Sequence, residues 1–309
     1  MIVDCHMHTY RFPDHFNMDV FRNVLHPHQR TWGIDRLKRI WDNPIEHYIA
    51  EMEGVIDRAI IIANAFGEIV GMEIPNDYVA EIVGKYPDKF AGVCSVNPNR
   101  RGAVKELERC VKDLGMVGVK LSPPEQGFYA NDEKVAFPIY EKAQEVNIPV
   151  IMHAGYVEFT KARLIYANLL LLDEVAINFP DLKIVICHLG YYNYQDAVAL
   201  MAKHENIYSD ISWLVGLAGL DRNAIPWNLP VVEYPYFHLL FPLLYHFTQT
   251  RGASDKLLFG SDWPGSRPKL AVEIIGGVNS MLREHNLPQI PRVAIHNILH
   301  RNWRQVFNI

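Results

Sequence analysis

The chain has 309 residues, 49% of them hydrophobic and 21% charged, which is the composition of a soluble globular protein able to bury a large core. A formal net charge of −5 without a basic run argues against a nucleic-acid surface, and no apolar run reaches the length of a membrane span. We therefore expect a small-molecule substrate, and neither nucleic acid nor a membrane as partner.

The cysteines are few and widely separated. Cys5, Cys94, Cys110 and Cys187 form no CxxC pair, so the sequence indicates neither a zinc ribbon nor a disulfide framework. The amino terminus enters an apolar run directly, without a basic segment or a small-residue cleavage site. These features predict reduced thiols in a cytoplasmic protein.

Short apolar runs alternate with helical patterns along the chain. The runs are continuous, as in AIII, PVIM and KIVIC, which is typical of parallel strands covered by helices. They predict eight strands, at residues 2–8, 58–64, 90–97, 116–121, 148–153, 182–188, 206–212 and 256–262.

Helix candidates with start and stop signals lie between these runs. The pattern at 101–114 has apolar residues at helical spacing and ends before Gly115, a favoured C-cap residue. Further helices are predicted at 135–146, 164–179, 197–204 and 270–285, with a closing segment at 293–307. Eight strand–loop–helix units without a Gly-rich dinucleotide fingerprint predict an α/β fold, a (β/α)8 barrel forming a single domain over residues 1–309.

Two connections are longer than such a unit needs. Residues 10–40 follow the first strand, and residues 213–236 follow the seventh. Loops on the carboxyl side of barrel strands build the active site, so we expect both to form walls or lids over a pocket. Subunit contact or surface decoration is the alternative.

The first strand carries two imidazoles one residue apart. Because side chains alternate along a strand, His6 and His8 are expected on one face, and Cys5 and Met7 on the other. Two imidazoles that converge from one strand supply half of a transition-metal site.

Three other strand ends carry metal-ligand types. The fifth strand ends at His153, the sixth at His188 and the eighth at Asp262. The carboxyl ends of barrel strands form one ring, so these residues can converge with His6 and His8. A single histidine at a strand end is usually structural, but the joint pattern predicts a metal site. The donor set suits Zn²⁺, with Mn²⁺ or Co²⁺ as alternatives.

The motifs VDCHMH, PVIMHAG, IVICHLG and LLFGSDWP, with the closing segment ILHRNWRQVF, resemble the amidohydrolase superfamily. The resemblance covers nearly the whole chain and is to the amidohydrolase-related branch of TIM-barrel hydrolases and decarboxylases similar to aminocarboxymuconate-semialdehyde decarboxylase. It implies that His6, His8 and His153 are metal ligands, and that Asp262 is a ligand that also handles the proton of bound water. It implies for His188 either a second-metal ligand or an unligated group that polarises substrate and moves protons. We favour the second role, with one metal ion.

Lys120 bears on the number of metal ions. It lies on the predicted fourth strand, where binuclear members of the superfamily carry a carboxylated lysine that bridges two ions. The alternative is an unmodified Lys120 that contacts a carboxylate or the substrate, and we favour it because desolvation of a lysine does not require a second metal.

Other residues are candidates for substrate contacts. Arg11, Arg30 and Arg267 lie on predicted mouth-side loops and could bind a substrate carboxylate, although solvated surface positions are their alternative. Trp213 begins the second long connection and could stack on the substrate, as could Trp32 or Trp227.

Supporting roles are open for three polar residues. Asp4 could orient a ligand imidazole or accept backbone hydrogen bonds. Asp210 and Ser212 could line the pocket, but we favour a structural hydrogen-bond network for both.

The sequence predicts an amidohydrolase-type enzyme that uses a metal-activated water on an amide, ester or lactone of a small molecule. A nonoxidative decarboxylase of an unsaturated or aromatic carboxylic acid is the alternative, because the same ligands serve both reactions. A metal-binding barrel without turnover, acting as a binding protein, is the third reading. A homodimer is a family-level expectation, supported by the apolar residues 237–247.

Overall fold

A computed structural model describes residues 1–214 and 236–309 of the chain. Strands and helices alternate along it, as the sequence predicts. The strands in the described part are β1 (Val3–Met7), β2 (Arg58–Ile62), β3 (Asn64–Phe66), β4 (Met72–Ile74), β5 (Phe90–Ser95), β6 (Val119–Leu121), β7 (Val150–Met152), β8 (Ile184–Ile186), β9 (Ile207–Asp210) and β10 (Leu257–Leu258).

The helices surround these strands. In the described residues they are α1 (Met18–Val24), α2 (Pro27–Arg30), α3 (Ile34–Trp41), α4 (Ile45–Met52), α5 (Asn76–Lys85), α6 (Ala103–Lys112), α7 (Pro123–Gln126), α8 (Phe137–Glu145), α9 (Leu171–Asn178), α10 (Tyr194–Lys203), α11 (Phe237–Gln249), α12 (Pro268–Glu284), α13 (Arg292–His300) and α14 (Trp303–Val306). No helix among them is long and apolar enough to cross a membrane.

Eight parallel strands form the barrel, in the order β1, β2, β5, β6, β7, β8, β9, β10. The first and last strands meet, because Cys5 N donates to Phe259 O at 2.9 Å and Asp262 N donates to His6 O at 2.8 Å. The predicted single-domain (β/α)8 barrel is confirmed, and all eight predicted strands are present.

The barrel interior is a separate apolar cluster from the outer layer between strands and helices. Interior residues come from strands around the whole barrel, for example Ile60, Val93 and Ile151, and Trp303 and Phe307 from the chain end pack against them. Alternating strand residues face the outer layer instead. This packing closes the barrel end opposite the mouth.

A bulge in β1 changes the predicted alternation. The register between β1 and β2 shifts between Asp4 and Met7. Cys5 packs in the interior cluster while Met7 packs in the outer layer, so the prediction that these two residues share a face is wrong. The extra residue in the strand alters the parity of its faces.

The long connection after β1 is not a loop throughout. Residues 10–40 contain α1, α2 and most of α3, and Leu37 and Trp41 of α3 are buried. The antiparallel hairpin of β3 and β4 was also not predicted, because its strands have only three residues each. Most of the second long connection, residues 213–236, lies outside the described residues.

Two glycines provide a test of the close packing at the mouth. Gly155 follows β7 with a φ of +94°, and an added Cβ would overlap the carbonyl oxygen of Gly190. Gly102 has a φ of +89°, but nothing lies within 4 Å of an added Cβ. Both substitutions to alanine carry the cost of a positive φ, and only Gly155→Ala carries a clash with backbone.

We expect Gly155→Ala to lower the free energy of unfolding by about 1–3 kcal/mol more than Gly102→Ala, because an overpacked backbone contact cannot relax cheaply. Urea denaturation of both variants measures the difference. Equal losses would contradict close backbone packing between the ends of β7 and β8.

Candidate metal-binding active site

The mouth of the barrel holds the predicted histidines and carboxylates. His6 lies in β1 and His8 directly follows it, while His153 follows β7 and His188 follows β8. Asp262 lies just past β10. All five line one pocket. The strand ends bring together side chains that are far apart in sequence, as expected for a barrel.

Two imidazole nitrogens face each other at the floor of this pocket. His8 Nδ1 donates to Ile62 O at 3.0 Å, and His6 Nδ1 donates to Asp210 Oδ2 at 2.9 Å; both tautomers follow from partners that only accept. The two Nε2 atoms then carry lone pairs, and they lie 3.2 Å apart. Asp262 Oδ1 is 3.6 Å from each of them.

This donor set fits a divalent metal ion. Three lone-pair atoms, of His6, His8 and Asp262, converge within 4.8 Å of one another, and they repel unless a cation lies among them. Burial lowers the pKa of His8 to about 3 and that of His6 well below its usual range, with Lys120 as the second cause for both. Both imidazoles are therefore neutral ligands at neutral pH.

The other two histidines hold different partners. His153 Nε2 lies 2.9 Å from Tyr156 O and 3.6 Å from Glu125 Oε1, so this nitrogen is directed away from the group formed by His6, His8 and Asp262. A metal-ligand role for His153 stays a prediction. His188 Nδ1 lies 2.8 Å from Ser212 Oγ and 4.0 Å from Asp262 Oδ2.

Asp210 connects these groups. Its carboxylate accepts from His6 Nδ1, from the backbone N of His188 at 2.9 Å, and from Ser212, both at the backbone N and at Oγ. The favoured hydrogen-bond network for Asp210 and Ser212 is present, and it also orients the His6 imidazole. A carboxylate behind a histidine in this way fixes the ring and raises its basicity as a ligand.

Asp4 takes the second of its two predicted roles. It accepts from the backbone N atoms of His6 and Ser261, and from the hydroxyls of Ser261 and Tyr48. It therefore fixes the backbone around His6 and touches no imidazole through these bonds. Burial raises its pKa to about 6.

Lys120 lies buried at the same floor. Its Nζ donates to Cys187 Sγ at 2.9 Å, and burial raises the pKa of that thiol to about 12. Ligand atoms of Cys187, His6 and His188 form a second group that could hold an ion. The charge of Lys120 reaches both groups, but Lys120 lies directly beside Cys187, and only the first group contains a carboxylate that offsets this charge, so the first group is the better site.

The predicted arginine contacts lie elsewhere. Arg11 lies 3.8 Å from Asp42, Arg30 donates to Leu25 O, and Arg267 pairs with Glu51. None of the three lines the pocket, so their predicted substrate role has no support from the structure. Each finds a nearer partner on its own loop or on a neighbouring helix.

The walls of the pocket are largely aromatic. Trp213, a predicted substrate contact, does line the pocket, whereas Trp227 lies outside the described residues. Among the described residues the aromatic wall consists of Tyr10, Trp41, Phe66, Tyr156, Phe159, Tyr191 and Trp213.

Backbone strain is concentrated at this mouth. His188, Trp213 and Asp262 have φ values of 59°, 61° and 60°, a left-handed conformation that costs non-glycine residues about 1–2 kcal/mol each. Strain of this kind gathers at functional sites, where the surrounding structure holds it.

Several pocket residues were not predicted from the sequence. Glu125 in α7 is buried with a hydrogen bond from Ser122 Oγ, and burial raises its pKa to about 7. Glu158 lines the wall beyond β7, and Asn64 in β3 has a buried Oδ1 without a partner among the described residues. Glu125 and Glu158 lie neither in a motif nor at the end of a predicted barrel strand. Asn64 ends the second predicted strand, and this position is the signal that could have found it.

Several known proteins are similar to this chain. The family described as amidohydrolase matches residues 3–309. A 2-keto-4-carboxy-3-hexenedioate hydratase of Sphingobium sp. is 32% identical over 212 residues, which is 62% of this chain and 58% of the hydratase. A gamma-resorcylate decarboxylase of Polaromonas sp. is 28% identical over 278 residues, covering 74% of this chain and 76% of the relative.

A solved structure shows the same fold. The manganese-bound 5-carboxyvanillate decarboxylase of Novosphingobium aromaticivorans, 15% identical, superposes with a TM-score of 0.64 over 99% of this chain and 96% of that chain. The similar proteins named here are enzymes, as the sequence predicts for this chain. Because the family match spans nearly every residue, the chain belongs to the amidohydrolase family.

Proposed function

We propose that this chain is a metal-dependent nonoxidative decarboxylase of a small, planar aromatic or unsaturated carboxylic acid. The observation that carries the proposal is the division of the pocket, with metal-ligand types and Lys120 at the floor and an aromatic wall above them. Aromatic faces favour a flat conjugated substrate, whose carboxylate or other anionic oxygen then meets the floor. The decarboxylases found among the relatives and solved structures support the same reading.

His6, His8 and Asp262 would hold the metal ion, with His153 as the further ligand implied by the family resemblance. When bound, the ion supplies positive charge that orients and polarises an oxygen of the substrate. We propose Zn²⁺, one ion per chain, with Mn²⁺ or Co²⁺ as alternatives; the neighbouring solved structure carries manganese.

The chain's own groups supply the rest. Among the described lining residues Lys120 is the one lysine or arginine, and we propose that it is unmodified and pairs with an anionic oxygen of the substrate. The carboxyl of Asp262 delivers a proton to the carbon that carries the carboxylate. The carbon–carbon bond then breaks, its electron pair restores the conjugated system, and CO₂ leaves; one proton is consumed for each CO₂ released.

Hydrolysis is the second candidate. The carboxyl of Asp262 could also serve this reaction, because burial raises its pKa to about 7 and it could take a proton from attacking water and return it to a leaving group. The hydratase relative also adds water to its substrate, as its name states. An amide, ester or lactone would be the substrate.

Location and assembly are further proposals. Four buried free cysteines, Cys5, Cys94, Cys110 and Cys187, support a reducing cytoplasm. The exposed rings of Phe237, Phe241 and Tyr245 on α11 support a homodimer.

The reaction is tested with metal-loaded protein and 2-hydroxybenzoate, 2,6-dihydroxybenzoate and an unsaturated dicarboxylate. We expect CO₂ release from at least one of them, and a fall in kcat of at least about 100-fold in Asp262→Asn, since this change removes the proposed proton donor. Asp181→Asn, an exposed carboxylate, is the matched control and should keep full activity. Cleavage of esters or lactones without CO₂ release from any acid would select hydrolysis instead.

The metal site is tested separately through Asp210. Asp210→Asn removes the charge behind the His6 imidazole, so we expect metal affinity to fall about 10–100-fold. Competition with a chromophoric chelator measures the dissociation constant, with Asp181→Asn as the control. An unchanged affinity in Asp210→Asn would show that His6 is not a ligand oriented by this carboxylate.

A further inference from the structure

Glu158 is a pocket carboxyl without a partner. It lies beyond β7, between Tyr156 and Phe159 in the pocket wall, and its side chain is half-buried. It makes neither a hydrogen bond nor an ion pair with any residue in the described ranges 1–214 and 236–309. Asp4, Glu125 and Asp210 at the mouth differ, since each accepts hydrogen bonds from protein groups, and the carboxyl of Asp262 faces the imidazoles of His6 and His8.

An unpartnered carboxyl in an aromatic wall is unfavourable for the protein alone. Burial disfavours the ionised form and raises the pKa of Glu158 to about 7, and no cation in the described part of the chain pairs with it. Tyr156 lies near Glu158. Burial raises the pKa of the Tyr156 hydroxyl, and the charge of Glu158 is the second cause. A hydrogen bond from a bound ligand would offset part of this cost.

We propose that Glu158 is a specificity-determining residue, which accepts a hydrogen bond from a hydroxyl substituent of the substrate. The inference rests on the proposed function, since the ligand is the planar acid whose anionic end meets Lys120 and the metal ligands at the floor. Glu158 lies in the pocket wall, beyond the strand end that carries His153. It would therefore contact a different part of the ligand from the groups at the floor. The substrate class is therefore narrowed to hydroxylated planar acids.

The charge of the acceptor sets the size of the effect. A hydrogen bond to an ionised group contributes more than a neutral one, so one hydroxylated acid should bind at least about tenfold more tightly than its parent. A glutamine at this position keeps an acceptor oxygen but loses the charge. We expect Glu158→Gln to keep part of the preference and Glu158→Leu to lose it.

The experiment uses calorimetry on the metal-loaded protein at about pH 8, where a carboxyl with a raised pKa is mostly ionised. The probes are benzoate and its 2-, 3- and 4-hydroxy derivatives. Glu158→Leu should bring the ratio of dissociation constants between benzoate and the preferred derivative close to unity. Glu141→Leu on the exposed face of α8 is the matched control for loss of a carboxylate, and it should keep the wild-type ratio.

The outcomes separate this inference from the proposed function. Wild-type protein that binds benzoates and releases CO₂ from an acid, but shows no preference among the four probes, contradicts the role of Glu158 alone. A preference that survives in Glu158→Leu does the same. Wild-type protein that binds none of the four acids but releases CO₂ from the unsaturated dicarboxylate contradicts this inference alone, whereas release of CO₂ from no acid contradicts the proposed function and this inference with it. Glu158→Gln, which changes one atom, covers the case in which Glu158→Leu does not fold.

Discussion

Closure of the barrel between its first and last strands is the contact on which the site depends. The backbone N of Asp262 donates to the carbonyl of His6 at 2.8 Å. A main-chain hydrogen bond therefore connects the first and the last ligand residue in the sequence. Asp4 strengthens the same joint, because its carboxylate accepts from backbone N atoms on both sides. Loss of this closure would separate the imidazoles from the carboxylate, whatever the rest of the fold did.

The hydrogen bonds of the His6 and His8 rings determine which of their nitrogens can bind a metal ion. Ile62 O and Asp210 fix the Nδ1 atoms of His8 and His6 as donors, which leaves two Nε2 lone pairs facing each other across 3.2 Å. Burial keeps both rings neutral, so the repulsion is relieved by a cation rather than by protonation. The folded chain therefore holds acceptors in an arrangement that a positive charge among them stabilises.

Sequence patterns were enough to predict the barrel and the convergence of His6, His8 and Asp262, because strand ends in a parallel barrel meet at one rim. They were not enough for details that depend on local register. The bulge in β1 placed Met7 in the outer layer, while Cys5 lies in the interior with Val3, and Arg11 and Arg267 pair with neighbouring acids outside the pocket. Glu158 lies in no motif, and only the folded chain shows that its half-buried carboxyl lacks a partner among residues 1–214 and 236–309.

The central claim is that the lone pairs of His6, His8 and Asp262 hold one metal ion at the barrel mouth. Anomalous diffraction from crystals grown with Mn²⁺ tests it most directly, since the signal locates the ion without reference to activity. The account predicts a single strong peak bonded to His6 Nε2, His8 Nε2 and a carboxylate oxygen of Asp262. A peak bonded to Cys187 and His188 instead, or no peak at the mouth, would contradict it.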